Sequence, residues 1–102
     1  MARPTRFEVT FLPDAEADAQ ALHAHIAAHS VANADRFIQE LRGRAASLDR
    51  WPRRCPVTRE TRVAGFEVRE ALFGNYRILF TIIGRHIAVL KITHAARKRP
   101  RR

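Results

Sequence analysis

The sequence predicts an α+β fold: an N-terminal strand, an antiparallel helix hairpin, then a three-stranded antiparallel meander, forming one sheet with the helices packed on one face. Three observations carry this. The stretch from Phe66 to His94 holds three apolar, β-branched-rich runs separated by Gly74-Asn75 and Gly84-Arg85, short breaks that let a chain reverse between antiparallel strands. The segment from Ala15 to Leu48 carries apolar residues at three- and four-residue steps. Ahead of it, Arg6 to Leu12 alternates, with Phe7, Val9 and Phe11 on one side.

Each element has its own local cause. The first strand ends at Pro13, and Pro13-Asp14-Ala15-Glu16 suits a helix start, because proline and early acids fit a first turn with unpaired N–H groups. This helix is expected to run to about His29. Its stripe of Ala15, Ala19, Leu22 and Ile26 is narrow and mostly small, which predicts a close approach to another element. Ser30 is a suitable N-cap for a second helix, whose buried face is Phe37, Ile38, Leu41, Ala45 and Leu48 and whose end falls near Arg50, before Pro52. Residues 51–65 form an irregular basic connection with one short extended piece around Val57 to Val63. In the meander, Tyr76 to Ile83 is apolar on both sides beyond its first two residues and therefore central, with the cation Arg77 at its mouth.

The 102 residues fit one domain, 1–102, ending in a basic tail, 95–102, in which five of the last six residues are cationic. No apolar run approaches the roughly 20 residues needed to cross a bilayer, and the N-terminus lacks the apolar core of a signal peptide, so a cytoplasmic protein without membrane contact is expected. The single cysteine, Cys55, excludes an internal disulfide. The net charge of +9 is unevenly spread: residues 1–51 hold six Lys/Arg against seven Asp/Glu, and residues 52–102 hold thirteen against three. A basic second half favours a polyanionic or acidic partner.

Arg77 could hold a phosphate or carboxylate bidentately, with Arg69, Tyr76, Lys91 and Arg97 as further binding candidates. The plainer alternative is a strand-end arginine paired with Glu67 or Glu70 across the hairpin. His94 ends the last strand in an electropositive setting suited to a general acid or base. His23, His25 and His29 include an i, i+4 pair, but no carboxylate or cysteine joins them at ligand spacing, so neither a metal nor a cofactor is expected. There is no Gly-rich phosphate loop, nucleophile elbow or catalytic carboxylate pair.

From about Phe7 to Arg97 the sequence resembles the RelE/ParE superfamily of toxins from type II toxin–antitoxin pairs, closer to the ParE-like branch. The matching features are Phe11-Leu12-Pro13-Asp14-Ala15-Glu16-Ala17-Asp18, the pair Phe37-Ile38, Leu48 followed by Pro52, Tyr76-Arg77-Ile78-Leu79-Phe80, and Val89-Leu90-Lys91-Ile92-Thr93-His94 with Arg97 three residues later. The resemblance implies a growth-inhibiting toxin neutralised by a cognate antitoxin in a hetero-oligomer. An apolar groove beside the basic meander would accept an amphipathic, acidic segment of that partner, as a helix or as an added strand.

The superfamily divides by target. One branch resembles microbial ribonucleases and cuts mRNA on the ribosome, using several Lys/Arg on the meander and a tyrosine in the tail; the other lacks that site and inhibits DNA gyrase. Here Arg77 falls on the family's strand arginine, but the strand before it reads Glu67-Val68-Arg69-Glu70, where a phosphate would be repelled, and no tyrosine follows Tyr76. These departures favour a gyrase-binding toxin without chemistry of its own. The alternative is a ribosome-dependent mRNA endonuclease in which Arg77 and Arg97 hold the phosphate and His94 moves protons. A simple basic nucleic-acid-binding module is the third class.

Overall fold

The computed structural model describes residues 6–95. Its elements follow the order β1 (Glu8–Phe11), α1 (Pro13–Ala27), α2 (Val31–Ala46), α3 (Glu60–Ala64), β2 (Arg69–Phe73), β3 (Tyr76–Ile83) and β4 (His86–His94), with short 3-10 turns at Ser47–Asp49 and Pro52–Arg54. The four strands form one sheet in the order β1-β4-β3-β2. The meander is antiparallel, with two-residue turns closed by Phe73 opposite Tyr76 and Ile83 opposite His86. Gly74 and Gly84 take φ of 57° and 60° there, a backbone that a side chain would strain.

The N-terminal strand makes the sheet mixed, since β1 runs parallel to β4, pairing Glu8 to Phe11 with His86 to Val89. It can do so because the helix hairpin returns the chain to the same end of the sheet. Past β1, the edge of β4 meets α1 instead of another strand. A bulge falls at this point, where Leu79 pairs with Lys91 and Phe80 with Val89 and Leu90 is left over. The Asp18 carboxylate accepts the Ile92 N–H at 2.9 Å and holds Lys91 Nζ at 3.2 Å, so an acid of α1 satisfies an edge amide that no strand pairs.

Both helices start as expected, α1 with Pro13 in its first turn and α2 with Ser30 Oγ accepting from the Asn33 N–H at 3.1 Å. Ala15 and Ala19 are completely buried, which lets α1 lie close on the sheet. The hairpin covers the side of β3 that bears Ile78 and Phe80, and with Leu41, Ala45, Leu48, Ile87, Val89 and Ile92 these form the core.

Two boundaries differ from the sequence expectation. Helix α2 stops at Ala46 and reaches Asp49 as a tighter 3-10 turn. The extended piece expected around Val57 to Val63 is shorter: Val57 bridges to Arg69, the Thr58 N–H bonds Val68 O at 2.8 Å, and the chain then turns into α3. Helix α3 exists through tertiary bonds, chiefly Thr61 Oγ1, which receives the Val68 N–H at 2.8 Å, and ends at Gly65 with φ 81°.

Candidate functional site

Residues alternate sides along a strand, and that alternation sorts the candidate residues. Tyr76 lies opposite His94, on the helix-hairpin side; Arg77 lies opposite Leu72 and Thr93 and points to the other side. The structure therefore separates Arg77 from His94, although the two are neighbours in the sheet.

Arg77 is buried, at 7% exposure. Its Nη1 and Nη2 donate to the two carboxylate oxygens of Glu60 on α3, both at 2.9 Å, and its Nε donates to Glu70 at 2.6 Å. The Arg77 bond is the main reason the Glu60 carboxyl is lowered to about 2, against a smaller opposing effect of burial. The same pair raises the Arg77 guanidinium above its ordinary value. All three guanidinium nitrogens are thus committed to carboxylates. Of the two cross-strand partners considered from sequence, Glu70 bonds Arg77, whereas Glu67 bonds Arg69 at 3.0 Å.

Arg69 also donates from Nη1 to the Arg53 carbonyl at 3.0 Å and the Cys55 carbonyl at 2.6 Å, which fastens the 51–56 turn to β2. Lys91 is held by Asp18. Arg97 and the basic tail beyond Ala95 lie outside the described residues. Tyr76 and His94 stack edge to face, 5.2 Å between ring centres, and Tyr76 meets Phe37 in the same manner. They line a mixed polar pocket of about 480 Å³ with His25, Asp18 and Lys91, and the buried His94 Nδ1 has no hydrogen-bond partner among the described residues. His23 bonds Asp35 of α2 at 2.8 Å and so serves the hairpin.

On the Arg77 side of the sheet the surface is an apolar groove of about 540 Å³ between α3 and the start of α1. Leu12, Val63, Phe66, Val68, Leu79 and Leu90 line it, with Val63 at 92% and Phe66 at 48% exposure. Sequence reasoning anticipated an apolar groove beside the meander but not its wall. Glu60 and Val63 come from a five-residue helix whose only signal in the sequence is an apolar valine among polar residues.

The model of one family, the ParE toxin of the type II toxin–antitoxin system parDE, matches residues 9–99. No curated protein sequence matches the chain. Among solved structures, a chain of the chromosomal ParDE toxin–antitoxin system from P. aeruginosa is similar, with a TM-score of 0.72 and 19% identity over 88% of this chain and 97% of that one. A chain of the RelBE2 toxin–antitoxin complex from Mycobacterium tuberculosis is also similar, with a TM-score of 0.64 and 23% identity over 87% and 98% of the two chains. At these identities the likeness to the two structures is one of fold.

Proposed function

The chain belongs to the ParE toxin family of type II toxin–antitoxin systems, and from that premise we propose that it disables its target by binding, with DNA gyrase as the target, in the cytoplasm and without a cofactor. A cognate antitoxin neutralises it by laying an amphipathic segment in the groove between α3 and α1, where Leu12, Val63, Phe66 and Leu90 offer apolar surface. Toxin and antitoxin then form a hetero-oligomer, the kind of assembly that the ParDE and RelBE2 structures are named for.

The state of Arg77 supports binding over cleavage. A nuclease needs cations free to meet charge that develops on phosphorus. The strand arginine that would supply one is buried and neutralised by Glu60 and Glu70, and His94 points to the opposite side of the sheet. Cutting RNA would require Arg77 to leave both carboxylates and a proton-transfer group to come from elsewhere.

The discriminating experiment gives the purified toxin to two systems at equal concentration. Supercoiling by gyrase is expected to fall while mRNA on translating ribosomes stays intact. Ribosome-dependent cleavage with supercoiling unaffected would overturn the proposal.

A further inference from the structure

The turn Arg50-Trp51-Pro52-Arg53-Arg54 has two costs at one residue. Trp51 leaves 70% of its surface in water, so the indole adds little to the core. Its backbone is left-handed, at φ 51° and ψ 50°, where a side chain of this size is disfavoured. The surrounding structure fixes that conformation from several directions. Pro52 is buried beneath it, the Arg54 N–H bonds the Trp51 carbonyl at 3.1 Å, and Arg69 grips the Arg53 and Cys55 carbonyls from β2. The result is a turn held from several sides that presents an exposed indole.

Cations flank it in the chain. Arg50, Arg53 and Arg54 are exposed, none of them is in an ion pair among the described residues, and the Arg54 guanidinium lies 5.9 Å from the indole centre. We propose that this turn is a contact for single-stranded nucleic acid, in which the Trp51 indole stacks on an unpaired base while Arg50, Arg53 and Arg54 meet the flanking phosphates. A flat π-face beside free guanidiniums matches a polymer that alternates base and phosphate. An acidic peptide would use the cations too, but the pocket of about 310 Å³ beside Arg54 is not lined by Trp51 and carries Glu70, which repels an acidic side chain. In a duplex the base faces are already stacked and closed to the indole. The contact does not depend on which target the toxin disables.

Trp51 is the chain's single tryptophan, so its emission reports on this contact alone. The protein titrated with short oligodeoxyuridylate or oligouridylate should show saturable quenching, and a preference between the two, which share one base, identifies the strand's sugar. The three arginines of the turn, neutralising about three phosphates, should contribute about a twentyfold fall in affinity between roughly 50 and 200 mM salt, a share that replacing all three by glutamine removes. Trp51→Gly suits the left-handed backbone and should keep the parent's melting curve while weakening binding of a labelled oligonucleotide about tenfold. Binding by Trp51→Gly as tight as the parent's would overturn the proposal, as would equal affinity for duplex or for polyglutamate.

Discussion

The two faces of the sheet are built from opposite materials. Under the helix hairpin, Ile78 and Phe80 of β3 meet Leu41, Ala45, Leu48 and the alanines of α1 in a closed apolar layer. On the other face the same strand presents Arg77, Leu79 and Thr81, where Arg77 bonds Glu60 of the five-residue helix and Glu70 of the neighbouring β2, and Thr81 Oγ1 donates to the Glu67 carbonyl of the loop at 2.8 Å. One face is held mainly by non-directional burial, roughly 1.5–3 kcal/mol for each large side chain, with Glu16–Arg42 between the helices as its one ion pair, among the described residues, that shifts a carboxyl. The other is held by contacts that exist in one geometry and one charge state, and it leaves a groove open. This contrast predicts that the α3 face opens locally while the hairpin face opens only with the whole fold.

The sharpest way to break this contrast is a cavity on the closed side. Phe80 is completely buried, and Phe80→Ala should cost about 3–5 kcal/mol of unfolding free energy in urea, because neighbouring helices cannot collapse fully into the space. A second cut falls on the other face. Arg77→Met removes the partner of two carboxylates, a loss that reaches about 3–5 kcal/mol for a fully buried pair. Here the Glu60 and Glu70 side chains are 33% and 22% exposed and can rehydrate, so about 2 kcal/mol is expected. Should Arg77→Met cost as much as Phe80→Ala, the α3 face would be part of the global fold and not a detachable layer.

What the sequence disclosed follows the same division. The hairpin face was legible because burial leaves a periodic trace: Phe37, Ile38, Leu41, Ala45 and Leu48 at helical steps, and alternation along β3, give the helices, the meander and most of the core. The α3 face was legible only where partners are close in register, as with Arg77 and Glu70 on adjacent strands. Glu60 lies 17 residues from Arg77 on a helix too short for any apolar stripe, so the partner that neutralises the arginine left no pattern to find. The parallel pairing of β1 with β4 was hidden for a similar reason, since alternation assigns a strand its faces but not its neighbour. At Trp51 local preference points the wrong way, because a residue before proline favours extended backbone and tertiary bonds hold this one left-handed.

The finest separation of the two faces is by pH. Glu60 is held at about 2 in the folded protein, well below its ordinary 4.5, mainly by its bond from Arg77. A carboxyl depressed on folding contributes stability that is complete above the unfolded value and is lost as pH falls through the folded one. Stability from this group should therefore be level down to pH 4.5 and decline between 4.5 and about 2. Glu16 is lowered by Arg42 and declines in the same direction, so the total slope alone does not isolate α3. Glu60→Gln does: it should flatten part of the acid limb of a urea titration while leaving the remainder that Glu16 supplies. At neutral pH the same variant should speed amide exchange in Glu60–Ala64 and leave the amides of β3 beside Phe80 as slow as in the parent. Equal acceleration on both sides would mean that the two faces open together, and the groove would then be no more adjustable than the core.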